Sequence, residues 1–207
     1  VEVGRGCGMG CHFCALKRVP MLHVPQETIL ADARTNIRSG ARSISLISED
    51  VFRYGGDGRR PRPRALIALL ERIRDELDVG LIQTDHANVA SVEAYGRRQL
   101  RRVHRLMTGP EGGEVWVNLG VEAEAGRLLA SNGGRGKMGD RPPGEWGEFC
   151  LEQVRRLARA GFFPLVSLVV GLPGETREDL RTTLRWVSRL RNEKVAVFPL
   201  LHATPGE

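Results

Sequence analysis

Three of the chain's four cysteines, Cys7, Cys11 and Cys14, fall within the eight residues Cys7-Gly8-Met9-Gly10-Cys11-His12-Phe13-Cys14. Thiols this close together are metal ligands more often than core filler. Three thiolates on a short loop can hold three irons of a cubane cluster and leave the fourth iron open. An open iron can bind a substrate or cofactor, whereas a cluster held by four cysteines mainly carries electrons. The alternative is a three-cysteine, one-histidine zinc site with His12 or His23 as the fourth ligand. Against it, His12 lies between two of the cysteines and no second cysteine pair follows. A disulfide framework does not fit, because the cysteines are few and a chain of 207 residues builds a core without bridges. Cys150 shares the apolar face of an expected helix with Trp146, Phe149 and Val154, so it reads as a buried, inert thiol.

Composition narrows the setting. At 41% hydrophobic, the sequence has material for one domain-sized core. Its longest apolar stretch, residues 162–172, is interrupted by Pro164, Ser167 and Gly171 and falls short of the roughly 20 residues a membrane helix needs. No basic-then-apolar leader precedes the first strand, so a reducing, cytoplasmic location is expected, with no membrane partner. The sequence opens on Val1 and stops at Pro205-Gly206-Glu207 just past an expected strand, which reads as residues 1–207 of a longer protein. The net charge of +6 comes almost wholly from arginine, since Lys17, Lys137 and Lys194 are the only lysines. Most arginines alternate with acids, as in Glu71-Arg72-Ile73-Arg74-Asp75-Glu76, the pattern of a solvated helix face. Arg97, Arg98, Arg101, Arg102 and Arg105 form a local basic stripe, the one feature that points to nucleic acid, a partner class this reading does not favour.

The elements that must position the cysteines follow from apolar periodicity. Strands are expected at residues 1–3, 43–48, 79–83, 115–121, 165–170 and 195–200. Helices are expected at residues 25–39, 65–77, 89–107 (weakened by Gly96), 146–160 and from Thr176 onward. Thr176 with Asp179 makes a capping-box-like start, and Leu180, Leu184, Val187 and Leu190 make that helix's buried stripe. Residues 131–144, rich in glycine and proline, read as a long irregular loop of functional or mobile character. Strand–helix alternation of this kind gives an α/β fold, a parallel sheet with helices outside it, curled into a partial or full barrel.

In such a barrel, chemistry gathers at the C-terminal ends of the strands. The unusual residues of this sequence fall there. The cysteines follow strand one, Ser48-Glu49-Asp50 strand two, and Thr84-Asp85-His86 strand three. Strand four ends in Gly120-Val121-Glu122, strand five in Gly171-Leu172-Pro173-Gly174-Glu175, and His202 follows strand six. Along strand four, Asn118, Gly120 and Glu122 share one face, and Val117, Leu119 and Val121 the other. A lining with carboxylates is costly to bury unless a cofactor or partner neutralises it.

Taken in this order, the motifs resemble those of the radical S-adenosylmethionine (radical SAM) enzymes along essentially the whole sequence. The resemblance implies a partial (β/α)6, TIM-like barrel of parallel strands with outer helices. It also implies a 4Fe-4S cluster on Cys7, Cys11 and Cys14, with S-adenosylmethionine as the second cofactor. Ser48-Glu49-Asp50 stands where the family holds the cofactor's amino group, departing from the commoner Gly-Gly-Glu form, and Asp50, in the third place, is favoured over Glu49 as the carboxylate that does so. Asn118 and Glu122 are similar to the polar strand-four groups, while Val170, Gly171 and Glu175 resemble the segment beside the adenine. Phe13 would shield the cluster or lie near the adenine, its other reading being an anchor beneath the loop. Tyr54, Asp85, His86, Lys137 and His202 are candidates for facing the substrate, Asp85, His86 and His202 as catalytic groups.

The activity implied is formation of a 5′-deoxyadenosyl radical for hydrogen abstraction or radical methyl transfer, fed by an electron donor such as a flavodoxin or ferredoxin. Val1 to Gly6, Ser48-Glu49-Asp50-Val51-Phe52 before Tyr54-Gly55, and Gly136-Lys137-Met138 resemble the subgroup with an N-terminal cobalamin-binding domain. That lineage implies a cobalamin-associated methyltransferase whose cobalamin would sit in a domain outside this sequence. Two alternatives stay open: a methylthiotransferase-like enzyme modifying transfer RNA, and a non-catalytic iron–sulfur or zinc module.

Overall fold

The six expected strand positions become one curved run of parallel neighbours in sequence order in the computed structural model, which describes residues 1–203. The end of the sequence at Pro205-Gly206-Glu207 lies outside the described residues. Residue Glu2 bridges Ile47 in parallel, and the Val3 amide donates to the Ile47 carbonyl at 3.0 Å. Strand β3 (Ser43–Leu46) pairs with β4 (Leu81–Thr84), and the short β5 (His86–Ala87) continues β4 after Asp85. Then follow β6 (Trp116–Glu122), β7 (Phe163–Val170) and β8 (Ala196–Leu201). Parallel neighbours need a crossover on the outside of the sheet, which the helices supply.

Those crossovers are α1 (Gln26–Arg38), α2 (Pro63–Glu76), α3 (Val89–Glu93), α4 (Arg97–Thr108), α7 (Trp146–Ala160) and α8 (Arg177–Ser188). The apolar stripe of α2, Leu66, Leu69, Leu70 and Ile73, is fully buried against the sheet. Val117, Leu119 and Val121 of β6 are likewise buried under helices, while Asn118, Gly120 and Glu122 face the barrel interior. Cys150 is buried with Trp146, Phe149 and Val154 on α7, as the periodicity predicts. The Thr176 hydroxyl accepts from the Asp179 amide, and the Asp179 carboxylate accepts from the Thr176 amide at 2.8 Å, so the box that opens α8 is present. No helix among the described residues is long and apolar enough to cross a membrane.

The structure departs from the sequence reading in four places. Residues 1–3 are not the whole first strand: β1 (Gly4–Arg5) turns away from the barrel and pairs antiparallel with β2 (Leu22–His23). The helix expected over 89–107 is two helices, because Gly96 caps α4 and its amide is taken by the Gln99 side chain at 2.8 Å. On α8, Leu184 is exposed, and Trp186 fills the place expected of it, its indole donating to the Gly147 carbonyl at 2.8 Å. Residues 131–144 are largely helical: α5 (Gly126–Leu129) runs through a π-type turn, Ala130–Gly134, into α6 (Arg135–Met138). Gly133, at φ +79°, lets the helix kink there without ending, and the Asn132 amide ties the kink to the Leu128 and Pro173 carbonyls.

Candidate active site

The antiparallel ribbon of β1 and β2 gathers the cysteine loop between its strands. The Cys7 amide bonds the Val19 carbonyl at 2.9 Å, closing the loop's mouth. Its other wall comes from the kinked helix: the His12 amide donates to the Asn132 carbonyl at 2.8 Å. Backbones meet there with no side chain between them. A Cβ on Gly136 would stand 2.2 Å from the Met9 carbonyl oxygen, so only glycine fits. The stretch read as a loop is thus a clasp on the cysteines.

Cys7, Cys11 and Cys14 border one hollow of about 100 Å³, whose walls also include Met9, Phe13, Glu122 and Lys137. All the cysteines are free thiols. Burial raises the Cys7 thiol above its ordinary value, and pushes Cys11 up to about 11 against the pull of the Lys137 ammonium. Among the described residues no three His, Cys, Asp or Glu side chains converge on a single ion. A lone zinc draws four ligands to about 2.0–2.3 Å of itself, whereas a cubane keeps its thiolates apart on separate irons. Three thiols that border one hollow fit three irons of a cubane. His12 rests against Gly133, and His23 meets Tyr54 edge to face at 5.7 Å.

Under the loop lies a group that the motifs do not mark. Arg53, 1% exposed, donates to the Cys7 carbonyl at 2.8 Å and lies 3.9 Å from the Met9 sulfur. Its Nε stands 3.5 Å from the Asp50 carboxylate, which also accepts from the Ser91 hydroxyl at 2.6 Å. Burial raises the Asp50 carboxyl above the usual range, with Arg53 opposing. The signal that could have found Arg53 is an acid and a base three residues apart around the apolar Val51-Phe52.

The three residues at the end of β3 therefore divide their tasks. Ser48 accepts from the Asp50 amide at 3.2 Å, making the turn, and Asp50 is committed inward. Glu49 is left on the interior-facing side with Ile47, its Oε2 buried and without a hydrogen-bond partner. The Asn118 Oδ1 is unpartnered in the same way. Native structures seldom leave buried acceptors unpaired, so these two fit a ligand that brings donors, as an ammonium or hydroxyl would.

Glu122 is the only non-glycine at positive φ, +66°, among the described residues, where the β6–β7 register slips between Gly120 and Glu122. Left-handed backbone in a residue with a Cβ costs roughly 1–2 kcal/mol. The turn folds the Glu122 carboxylate onto the buried Lys137 ammonium, which also donates to the Gly120 carbonyl at 2.8 Å. Burial disfavours that ammonium, yet the Glu122 charge and then the Cys11 sulfur leave Lys137 above the ordinary lysine value.

The remaining candidates sit around the rim. The Asp85 carboxylate is 2.8 Å from His86 Nδ1, and His86 Nε2 meets the Asn118 amide at 2.9 Å; both Asp85 and His86 are about half exposed. His202 is held by its amide to the Val170 carbonyl at 2.8 Å, so β8 delivers it beside Gly171. Glu175 accepts from the Gly171 amide at 2.6 Å and so braces its own turn. Phe13, half-buried, packs against both apolar clusters. Tyr54 faces the core, 5% exposed, with its hydroxyl on the Val24 carbonyl at 3.0 Å.

Comparison with known proteins gives the family and the fold. The family model described as the Radical SAM superfamily matches residues 1–187. An uncharacterized protein of Methanopyrus kandleri is 28% identical over 209 residues, covering 95% of this chain and 36% of that protein. The ribosomal protein uS12 methylthiotransferase RimO of Saccharopolyspora erythraea is 30% identical, covering 96% and 38%. RimO of Geobacter sulfurreducens is 26% identical, covering 96% and 41%. The chain thus spans about two fifths of the length of these curated relatives. Among solved structures, the methyltransferase TsrM of Kitasatospora setae, with cobalamin and a [4Fe-4S] cluster bound, superposes with a TM-score of 0.66 at 15% identity. That match covers 96% of this chain and 36% of TsrM. Methylornithine synthase (PylB) superposes at 0.57 and 16% identity, covering 99% and 54%. These likenesses show the partial TIM-like barrel.

Proposed function

Because this chain belongs to the radical SAM superfamily, we propose that it is the core of an enzyme whose radical chemistry starts in the hollow between Cys7, Cys11 and Cys14. Membership implies a [4Fe-4S] cluster and S-adenosylmethionine as cofactors. Together these supply, when bound, an electron that splits the cofactor's sulfonium and so yields a 5′-deoxyadenosyl radical. The chain's own residues hold, orient and exclude. The three thiols are the cluster ligands, fixed by the ribbon behind Cys7 and the glycine clasp over Met9. Arg53 pins the Cys7 carbonyl from below. Phe13 keeps water from the hollow it borders.

At the end of β3, Glu49 takes the ammonium of S-adenosylmethionine, because it lies on the interior-facing side with an unpartnered Oε2, while Asp50, which also keeps one oxygen unpartnered, lies on the buried side against Arg53 and Ser91. Asn118 accepts from a cofactor hydroxyl, and the Lys137–Glu122 pair sets the charge beside the thiols. Val170, Gly171 and the turn braced by Glu175 line the adenine side. Asp85 orients His86 at the rim, where His86 and His202 hold or move a substrate proton. The reducing electron comes from a partner such as a flavodoxin or ferredoxin.

The reaction that follows is hydrogen abstraction or radical methyl transfer. The TsrM likeness in fold supports a cobalamin-associated methyltransferase. The RimO relatives favour a second reading, methylthio transfer. The observation that carries the common part is the three-thiol hollow within a chain matched by the family over residues 1–187. Anaerobic reconstitution tests it. The wild-type chain should take up about four irons with sulfide and, once reduced, release 5′-deoxyadenosine from S-adenosylmethionine. Cys7→Ala, Cys11→Ala and Cys14→Ala should each lose both. Full iron uptake by any of the three variants, or stoichiometric zinc in the wild type, would defeat the reading.

A further inference from the structure

The arginines of this chain are not evenly neutralised. On α8, Arg181 and Arg185 pair with Glu178, and Arg189 just past its end pairs with Glu148. On α2, Arg72 pairs with both Glu27 and Glu76. One face differs: the face made by the start of α2, the outer side of α4 and the end of α7. Arg64, Arg97, Arg98, Arg101, Arg105 and Arg159 lie there, exposed, and among the described residues the only ion pair on the outer side of α4 is Arg102 with Glu71.

Three clefts open side by side on this face, of about 300, 360 and 650 Å³. The second and third share Arg64 and Gln99, and the first begins at Arg97, next to the second's Arg98. Glu71 is the only acid that lines any of them, and Arg102 already holds it. We propose that this face binds the phosphate backbone of double-stranded RNA. The inference goes beyond the radical chemistry and does not depend on it.

Two features choose this partner. The first is that the face exposes no large apolar side chain, the apolar residues of its clefts being small or buried, such as Ala65, Leu100 and Ile67. Val19, Leu22, Ile47, Trp116, Leu184, Leu200 and Leu201 are the large apolar side chains left exposed among the described residues, and none lines these clefts. A protein interface needs an apolar centre, and a membrane surface needs apolar residues to insert. A phosphodiester backbone needs neither, and the guanidinium fork matches phosphate. The second feature is shape. Helix α4 packs between α2 and α7 and does not project, so it cannot enter the major groove of B-form DNA as a free helix does. The wide, shallow minor groove of an A-form duplex lets a flush surface reach phosphates without penetrating. Arg98, Arg101 and Arg105 follow one stripe about 10 Å long, so three guanidinium groups share one outward side of α4.

The experiment is fluorescence anisotropy of the intact chain with a labelled 20-base-pair RNA duplex at several salt concentrations. Five phosphate contacts should weaken binding by roughly 10²–10³-fold between 50 and 200 mM salt. Arg98→Gln/Arg101→Gln/Arg105→Gln should lower the salt slope by about 3, whereas Arg181→Gln/Arg185→Gln on α8 should leave it unchanged. Arg64→Gln/Arg159→Gln, on other elements of the same face, gives an independent variant if the triple one misfolds. Circular dichroism confirms that each variant tested is folded. Absence of binding at 50 mM salt, or wild-type binding by the folded α4 variant, overturns the proposal. So does displacement of the RNA by polyglutamate at equal charge, which would make the partner an acidic protein. Tighter binding to a B-form DNA duplex of the same sequence would overturn it too.

Discussion

Replacing Arg53 with Met should destabilise the chain far more than any loss of packing explains. The guanidinium is 1% exposed and stands over the carboxylate of Asp50, itself 0% exposed. Met fills much of the same volume, so what is removed is charge and donors. Asp50 is left with the Ser91 hydroxyl as its only side-chain partner, and the Cys7 carbonyl loses its 2.8 Å donor. Breaking a buried pair from one side costs about 3–5 kcal/mol, because the other charge remains in a low dielectric. Against a total stability of about 5–15 kcal/mol, that is a shift readable by urea unfolding of the cluster-free chain under reducing conditions. The double variant Arg53→Met/Asp50→Asn removes the stranded charge and should recover about half of the loss, so the two substitutions are not additive. The cost of Arg53→Met should also shrink in mild acid, since a protonated Asp50 needs no cation. If Arg53→Met costs under about 1 kcal/mol, or the double variant loses the sum of the singles, Arg53 and Asp50 are not coupled as described.

Asp50 adds a pH dependence of definite sign. Burial raises its folded-state value above that of the unfolded chain, with Arg53 opposing, so its contribution to stability is greatest in acid. That contribution is lost as pH rises from the ordinary 3.8 through the folded-state value, and unfolding of wild type against Asp50→Asn should show the difference falling over that window. Gly136→Ala should cut iron uptake sharply while leaving the far-ultraviolet spectrum unchanged, because its Cβ would stand 2.2 Å from the Met9 carbonyl oxygen; normal uptake would show that the clasp is not needed. Cys150→Ser should lower stability by about 1–3 kcal/mol through a buried hydroxyl, with iron content as in wild type. Glu49→Gln should weaken S-adenosylmethionine binding about tenfold at unchanged iron content, measured by equilibrium dialysis; a larger effect of Asp50→Asn in folded, iron-loaded protein would reverse the assignment at β3.

The barrel was legible because each helix and each strand carries its own period, as α2 and β6 show. The cysteine loop was legible because thiol spacing is a local property. What escaped depended on contacts between distant segments. Nothing in the glycines of residues 131–144 says that they lie against Met9 and His12, so breakers that let a helix kink around the loop read as breakers that end it. Arg53 looked like one more arginine after an acidic motif, because burial of a charge appears only once the loop above it is placed. Leu184 and Trp186 differ by two positions on α8, and the packing at Gly147 decided which of them goes inside.

The clasp also fixes an order of events in time. The cysteines leave the ribosome well before the backbone that shapes their loop, from Asn132 to Gly136, which is made more than a hundred residues later. That kink in turn depends on the Asn132 bond to the Pro173 carbonyl, a separation of 41 residues. Contacts so far apart in sequence form slowly, because a long loop must close before they can be made. During synthesis the three thiols therefore spend their first seconds as an unshaped, exposed segment, at risk from oxidation and stray metal. Delivery of iron and sulfide belongs after β7 has docked, when the hollow first exists to receive them.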